Sequence, residues 1–260
     1  MPATGPGADM NLPRVLLVED DASIARFVQL ALEELPIELV TCTNVGDAMQ
    51  ALKALHTRLI ITDLMLPGES GIDLVQRLLH EPSPGHPIPV AVFSAGLNPA
   101  VRDQLSAMKV WRMLSKPTSV LELETCVRDA LALTMTSMAD APPCGTPTPA
   151  TQTIPAAART ETEAEAIATH FAGDELLFKA YRASCLQQFP ADIRQGDAAC
   201  AAQDLPALRR LAHSLATVLL TLGYPKQSMW ARQLENAAAQ LAVDQCLDHW
   251  SKLRAFLTQL

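Results

Sequence analysis

The sequence predicts a doubly wound α/β domain with a five-stranded parallel sheet, followed by an all-α helical bundle. Three observations support this prediction. The chain has 260 residues, which is more than one hydrophobic core normally contains. Short apolar runs alternate with amphipathic stretches in its N-terminal half. Helical periodicity without strand signals follows in its C-terminal part.

The first domain is predicted to span residues 14–133. A strand covered on both faces is apolar along its whole length, whereas the helices that cover it are apolar on one side only. Five such runs alternate with such helices, which is typical of parallel strands joined by crossover helices. The predicted strands are Val15–Val18, Ile37–Val40, Leu59–Thr62, Val90–Phe93 and Val110–Leu114. The predicted helices are Ser23–Leu35, Val45–Leu55, Ile72–Leu79, Ala100–Met108 and Val120–Leu133.

Residues 134–165 are predicted to be a linker, because prolines alternate there with Thr and Ala and aromatic residues are absent. Residues 166–260 are predicted to form a four-helix bundle, in which short connections make consecutive helices antiparallel neighbours. Gly196, Gly223 and Pro225 are expected to interrupt its helices. The helical periods are Leu176–Gln188, Ile193–Ala202, Leu205–Leu222, Lys226–Leu241 and Asp244–Leu260.

Composition excludes several classes of function. The formal net charge of -8 argues against a broad nucleic-acid interface, which needs a surplus of Lys and Arg on one face. None of the six cysteines lies at CxxC spacing, which favours reduced thiols in a cytoplasmic protein. No apolar run approaches the roughly 20 residues that a membrane span requires, so no membrane partner is expected.

Charged and hydroxyl side chains stand at the ends of four predicted strands. Glu19 and Asp20 follow the first strand, Asp63 the third and Lys116 the fifth, while Ser94 closes the fourth. Because the carboxyl ends of parallel strands lie at one edge of a sheet, these side chains should share a pocket. Clustered carboxylates need a cation, and Mg²⁺ prefers such oxygen ligands. A lysine and a hydroxyl beside a nucleophilic carboxylate then suit phosphoryl transfer.

These landmarks resemble the receiver domain of bacterial two-component response regulators, which has a flavodoxin-like fold. The matching segments are Val15–Asp21 (VLLVEDD), Ile60–Gly71 (IITDLMLPGESG), Val92–Ala95 (VFSA) and Ser115–Pro117 (SKP). The resemblance implies that Asp63 accepts a phosphoryl group from a phospho-histidine donor and that the domain catalyses this step itself. Ser94 and Lys116 would bind the phosphoryl oxygens. Mg²⁺ would be held by Glu19, Asp20, Asp63 and the carbonyl of Met65.

Three positions depart from the receiver pattern. Receivers usually carry Tyr or Phe three residues before the lysine, as a switch that moves inward on activation, but this chain has Met113. Polar side chains two residues after the acceptor and two after the hydroxyl can help water attack the phosphoryl group, but this chain has Met65 and Gly96. We therefore predict slow self-dephosphorylation, and a phospho-Asp63 half-life of only seconds in Mg²⁺ buffer would contradict this.

A histidine stands out in the second domain. With about 100° per residue, the apolar side chains of Leu205–Gly223 form one stripe, and His213 lies roughly 170° from its centre. His213 is therefore expected on the exposed face, where it can accept a proton or a phosphoryl group near neutral pH. Its expected neighbours on that face are Arg209, Ala216, Thr217 and Leu220.

The segment Ala207–Gly223 (ALRRLAHSLATVLLTLG) resembles the phospho-acceptor helix of histidine phosphotransfer domains, also called Hpt domains. Ile193–Asp197 (IRQGD) and Leu234–Ala237 (LENA) fit the neighbouring helices of that family. The resemblance implies that His213 is a second phosphoryl carrier. The family commonly has Lys-Gly three and four residues after the histidine, where this chain has Ala216-Thr217, so transfer could be slowed.

The two resemblances together favour a phosphorelay protein rather than a conventional enzyme. An upstream sensor histidine kinase would phosphorylate Asp63, and the phosphoryl group would pass to or from His213. A downstream receiver or other signalling protein would take the output. The runner-up is an adaptor whose bundle binds a partner without being phosphorylated. An aspartyl hydrolase is a third reading, which Met65 disfavours because that family has an aspartate at this position. The direction of transfer, the docking of the domains and the oligomeric state stay open.

Overall fold

The structure is a computed structural model that describes residues 12–54, 56–80, 88–136 and 163–260. The strands are β1 (Arg14–Val18), β2 (Glu38–Cys42), β3 (Thr57–Thr62), β4 (Val90–Ser94) and β5 (Arg112–Ser115). The helices between and after them are α1 (Ala22–Ala31), α2 (Val45–Ala54), α3 (Gly71–His80), α4 (Pro99–Ala107) and α5 (Val120–Thr136). The C-terminal helices are α6 (Glu163–His170), α7 (Glu175–Ala202), α8 (Leu205–Thr221), α9 (Pro225–Ala239) and α10 (Val243–Leu257).

The five strands form one parallel sheet in the order β2-β1-β3-β4-β5, which confirms the predicted fold class. Alternate residues of β1 point to opposite faces, as the pleat requires. Val15 and Leu17 pack with α1 and α5, whereas Leu16 and Val18 pack with α2 and α3. The strand order reverses between β1 and β3, and a doubly wound sheet opens a crevice at that point.

The C-terminal helices α7, α8, α9 and α10 form a bundle in which each helix packs on the next and α10 closes on α7. The sequence pattern suggested that Gly196 interrupts a helix, but Gly196 lies inside α7. A Cβ atom there would stand 2.1 Å from the ring of Trp250, so glycine is required by close packing with α10. Asp197 fixes the same contact by accepting hydrogen bonds from Trp250 Nε1 at 2.9 Å and Arg254 Nε at 2.9 Å.

Two predicted boundaries in the C-terminal half were wrong. The pattern suggested separate helices before and after Pro190, but α7 is continuous, capped by Asp174 and ended by Gln203 in the left-handed conformation. The first and last residues of the predicted linker, residues 134–165, are helical, because α5 extends to Thr136 and α6 begins at Glu163. The rest of that linker lies outside the described residues.

The two domains share one apolar cluster, because α1 of the first domain packs against α7 and α8 of the second. Aromatic side chains form the centre of this contact. The ring of Phe27 on α1 meets Phe171 and Tyr181 edge-on, with centroids 5.5 Å away in each case. All three rings are buried. The domains therefore dock through an apolar interface, which the sequence did not predict.

Among the helices that the structure describes, none is both long and apolar enough to cross a membrane. The cysteines within the described ranges are free thiols, as the sequence predicted, and Cys144 lies outside those ranges.

Candidate functional site

The register of the sheet brings the predicted acidic residues together. Val18 pairs with Thr62 across β1 and β3. Glu19 and Asp63 directly follow these two residues, so they lie side by side. The backbone N–H of Asp63 donates to the carbonyl of Val18 at 3.0 Å and holds this alignment. Asp63 and Glu19 are only 2% and 1% exposed. The pocket therefore lies at the point where the strand order reverses.

Lys116 lies between the two buried carboxyl groups. Its Nζ atom donates to Asp63 Oδ2 at 2.7 Å and to Glu19 Oε2 at 2.5 Å. Its position follows from β5, because the backbone N–H of Lys116 donates to the carbonyl of Ser94 at the end of β4. The ammonium group also lies 4.9 Å from the ring centroid of Phe93, which adds a cation–π contact. The predicted lysine, hydroxyl and acceptor thus meet in one pocket.

The backbone around Asp63 is tightly packed. Asp63 Oδ1 accepts a hydrogen bond from the N–H of Leu64 at 2.5 Å. Gly71, the first residue of α3, lies so close that a Cβ atom there would stand 2.0 Å from the carbonyl oxygen of Asp63. Only glycine allows this approach, so the GESG segment after Asp63 has a steric reason as well as a turn-forming one.

The pocket carries more negative than positive charge. Burial raises the pKa of Glu19 to about 8, although the Lys116 ammonium acts against the rise. Burial and the Asp63 charge raise the pKa of Asp20 to about 6. Burial would also raise the pKa of Asp63, but Lys116, His213 and the Ser94 hydroxyl hold it below its ordinary value. Lys116 therefore favours the ionised form of Asp63, which is the form that a nucleophile needs.

This donor chemistry fits a divalent cation. Three carboxyl groups face one ammonium group, and a hard cation would relieve the excess charge. Within the described ranges, no three His, Cys, Asp or Glu side chains are spaced as a ready metal site, and Lys116 contacts both Glu19 and Asp63 instead. The ligand set inferred from the sequence, which includes the Met65 carbonyl, stays a prediction.

The three departures from the receiver pattern surround this pocket. Met113 is half-buried and packs with the cluster of Leu64, Val92 and Leu105 on the outer face of the sheet. Met65 is half-buried, and Gly96 is exposed, with its N–H donating to Ser94 Oγ at 3.3 Å. None of these three residues brings a side-chain hydroxyl, amide or carboxyl group to Asp63, which is the basis for predicting slow hydrolysis.

His213 is not on an exposed face, so this part of the sequence prediction was wrong. Its side chain is 2% exposed, and Ala216 and Thr217 are buried as well. Of the residues expected on that face, Arg209 is exposed and Leu220 is half-buried. The helical arithmetic located the core stripe of α8 but could not show that α9 and the docked α1 cover the opposite side.

Glu235 on α9 completes the histidine site, and the sequence reading assigned it no role. Glu235 Oε1 lies 2.7 Å from His213 Nδ1, and Arg232 Nη1 donates to Glu235 Oε2 at 2.9 Å. Burial would raise the pKa of Glu235, but His213 and Arg232 hold it below its ordinary value. An ionised carboxylate only accepts, so His213 Nδ1 is the donor of this hydrogen bond. The sequence offered one signal: Glu235, in the LENA segment, follows Arg232 by three positions.

The Asp63 pocket and His213 face each other across the domain interface. A positive charge on the His213 ring would lower the pKa of Asp63, so the imidazole lies within electrostatic range of Asp63. Asp21 caps α1 by accepting from the N–H of Ile24 at 2.9 Å. Burial raises the pKa of Asp21, and the nearby hydroxyl of Ser214, the residue after His213, acts against the rise. His213 Nε2 is buried and has no hydrogen-bond partner among the described residues. The sequence predicted roles for Asp63 and His213 separately, and the two domains that carry these residues dock on each other.

Comparison with protein families agrees with this division of the chain. Residues 15–128 match the family model described as the response regulator receiver domain, and residues 180–260 match the model described as the Hpt domain. The first range contains Asp63 and its pocket, and the second contains His213 and Glu235.

Curated relatives match part of this chain and part of their own length. A protein-glutamate methylesterase/protein-glutamine glutaminase 1 of Cereibacter sphaeroides is 32% identical over 43% of this chain and 30% of its own. Sensor histidine kinase TmoS of Ectopseudomonas mendocina is 30% identical over 51% of this chain and 14% of its own. The chain therefore spans less than a third of either relative. Among solved structures, the Francisella response regulator 1452 receiver domain is 26% identical over 47% of this chain and 98% of its own, with a TM-score of 0.44.

Proposed function

The chain is a two-component phosphorelay protein that joins a receiver domain to an Hpt domain, and we propose that it passes a phosphoryl group between Asp63 and His213 within one molecule. One observation carries this proposal. The Nε2 atom of His213 is buried without a partner among the described residues, and α1 of the receiver domain packs on the helix that carries it. A buried polar atom normally has a partner, so this one indicates a site completed by another group.

The proposed transfer is an in-line exchange between the two side chains. The lone pair of His213 Nε2 forms the P–N bond while the P–O bond to the Asp63 carboxyl breaks, and that electron pair stays on Asp63. The imidazole keeps its proton on Nδ1 and becomes cationic, and the Glu235 carboxylate stabilises that charge. The reverse transfer uses the same atoms, so either direction is compatible with this geometry.

The receiver pocket supplies the electrostatic part of the reaction. Lys116 and Ser94 would bind phosphoryl oxygens and offset their charge as the group moves. Glu19, Asp20 and Asp63 with the Met65 carbonyl would hold Mg²⁺, which when bound neutralises charge on the phosphoryl oxygens. The Phe27, Phe171 and Tyr181 rings keep the interface apolar, and an apolar interface excludes water that would hydrolyse the acyl phosphate.

The docked arrangement also bears on the partners. Asp63 and His213 are both 2% exposed, so an external phospho-histidine cannot reach Asp63 while the domains are docked. We therefore propose that a sensor histidine kinase loads Asp63 in an undocked state, and that docking then allows transfer. A downstream receiver would take the group from His213 after the domains separate again.

A single-turnover experiment tests the relay. The full chain is loaded with radiolabelled acetyl phosphate and Mg²⁺, and base treatment separates acyl phosphate, which hydrolyses, from phospho-histidine, which survives. We expect base-stable label in the wild type, none in His213→Gln, and no label at all in Asp63→Asn. Equal base-stable label in wild type and His213→Gln would refute the relay.

The burial of Asp63 in the docked protein also fits the alternative function, an adaptor. A bundle that covers Asp63 could respond to phosphorylation by moving away, without accepting the group. In that case label stays on Asp63 in the wild type and in His213→Gln alike, and the domains separate on phosphorylation. The labelling experiment therefore separates the two functions directly.

A further inference from the structure

The second observation at the interface concerns Thr217, one helical turn after His213 on α8. Thr217 is 4% exposed, and its Oγ1 atom has no hydrogen-bond partner among the residues that the structure describes. Residues four apart lie on the same face of a helix, and side chains lean towards its N-terminus, so Thr217 leans towards His213. A buried hydroxyl without a partner is unfavourable and indicates a missing acceptor.

The receiver side of this position is the edge of the phosphorylation pocket. Thr217 lines a small cavity of about 10 Å³ with Phe93 and Pro117, which are the sequence neighbours of Ser94 and Lys116. The cavity is about the size of one water molecule, and Thr118, Tyr181 and Thr221 line it as well. The Thr217 hydroxyl makes no direct hydrogen bond to any of these residues.

The neighbouring hydroxyl on the same helix behaves differently. Thr221 lines the same cavity, but its Oγ1 donates to the carbonyl of Thr217 at 2.9 Å. The Ala216 carbonyl is also occupied, because it accepts from Ser228 Oγ at 2.6 Å. Ala216 is fully buried, which leaves no room for the lysine that Hpt domains commonly carry there. Thr217 is therefore the hydroxyl of α8 that is free to donate towards the receiver.

We propose that the Thr217 hydroxyl is a catalytic donor that binds an oxygen of the phosphoryl group as it passes between Asp63 and His213. This inference rests on the proposed relay. The hydroxyl keeps its proton throughout, while the P–O bond to Asp63 breaks and the P–N bond to His213 forms. Lys116 and Ser94 bind the group from the receiver side, and Thr217 binds it from the bundle side, where the common lysine is missing. A donor aimed at developing charge accelerates such a step.

Three substitutions in the full chain test the inference by single-turnover transfer after loading with acetyl phosphate. Thr217→Val removes the hydroxyl at nearly constant volume and should slow the formation of phospho-His213 by about tenfold or more. Thr217→Ser keeps the hydroxyl and should transfer within about twofold of the wild-type rate. Thr221→Val is the matched control and should leave the rate unchanged, because its hydroxyl serves only its own helix.

Stability separates this role from simple packing. Replacing an unpartnered buried hydroxyl with a methyl group should raise the unfolding midpoint, so Thr217→Val should be slower and yet more stable. Slow transfer in Thr217→Val with near-normal transfer in Thr217→Ser supports the proposal, and any other pattern of these two rates overturns it. If Thr217→Val transfers like the wild type while His213→Gln transfers nothing, this inference fails and the relay stands. If the wild type itself forms no phospho-histidine, the relay fails first.

Discussion

The Asp63 pocket and the His213 site, which we propose to take part in one reaction, are built in different ways. Every side chain of the Asp63 pocket comes from the end of a strand in a single sheet, and the register of β1, β3, β4 and β5 sets their spacing. The His213 site takes its histidine from α8, its carboxylate from α9 and its apolar cover from α1 of the other domain. One site is local to a sheet, and the other exists only when three helices from two domains meet.

The two sites also differ in charge. The Asp63 pocket is over-supplied with carboxylates, so burial and mutual repulsion raise the pKa of Glu19 and Asp20. The His213 site is balanced, with one imidazole and one arginine around one carboxylate. The first site therefore has excess negative charge that a cation would offset, whereas the second depends on the packing of its helices. Four substitutions probe this difference.

The largest expected effect comes from breaking the strand-end site at Gly71. In Gly71→Ala, the new Cβ atom would meet backbone atoms of Asp63 at 2.0 and 2.9 Å, and backbone cannot give way as a flexible side chain can. We expect the free energy of unfolding of the receiver domain to fall by about 3 kcal/mol or more. Denaturant unfolding followed by circular dichroism measures the change.

Gly68→Ala is the control, since Gly68 has a φ of 77° but open space around it. That substitution should reduce the free energy of unfolding by only about 1 kcal/mol, from backbone strain alone. If both variants lose the same stability, the close approach of α3 to Asp63 is not what requires glycine.

The next effect breaks the His213 site without touching either core. Ser23 on α1 is 2% exposed because the bundle covers it, and Ser23→Arg would place a charge in the docking interface. We expect transfer to His213 to slow by on the order of a hundredfold, since proximity is lost, while acetyl phosphate still loads Asp63. Gln29→Arg on the exposed side of the same helix is the matched control. Unchanged transfer in Ser23→Arg would mean that the docked state is not the reactive one.

The contrast between the sites also explains what the sequence could predict. Apolar runs followed by Glu19, Asp63 and Lys116 are local signals, and parallel pairing alone brings such strand ends together. His213 was recognised from its own helix, but its exposure was predicted wrongly. Part of the cover over α8 comes from α1, which lies far away in sequence and carries no periodic signal for docking. Glu235 was missed for the same reason, since a lone acidic residue on a helix is most often solvated.

A smaller effect concerns the carboxylate that orients His213. Glu235→Gln keeps the shape of the side chain and removes the charge that stabilises the imidazolium. We expect transfer to slow by about tenfold, with loading of Asp63 unchanged. Glu33→Gln, on an exposed residue that follows α1, is the charge-matched control. Equal transfer rates in Glu235→Gln and wild type would limit Glu235 to a packing role.

The Glu235–His213 pair also predicts how the stability of the protein depends on pH. The pKa of Glu235 is held below its ordinary value of 4.5, so the folded state binds this proton more weakly than the unfolded state. Its contribution to stability is therefore fully present above about pH 4.5 and is lost as the pH falls through the lowered pKa. Unfolding curves of wild type and Glu235→Gln should converge on acidification. A difference that stays constant below pH 4 would contradict this assignment.

The smallest effect sharpens the charge contrast and has the opposite sign. Asp20 is half-buried beside Asp63, and burial, followed by repulsion from Asp63, raises its pKa to about 6. In buffer with a chelator, Asp20→Asn should therefore stabilise the receiver domain, by about 1 kcal/mol because water screens part of the repulsion. Excess Mg²⁺ should stabilise the wild type by mass action and the variant much less. Asp103→Asn, on the exposed face of α4, should change neither value.

The sign of the Asp20 result decides what holds the strand-end site together. A pocket built for stability would lose stability when one of its carboxylates is removed, as a partner of an ion pair does. If the pocket is built for a cation, removing a carboxylate should raise its stability in the absence of the ion. The same change should weaken the stabilisation that Mg²⁺ provides. Destabilisation of Asp20→Asn in chelator would mean that Lys116 alone balances the pocket, and the predicted Mg²⁺ site would then need different ligands.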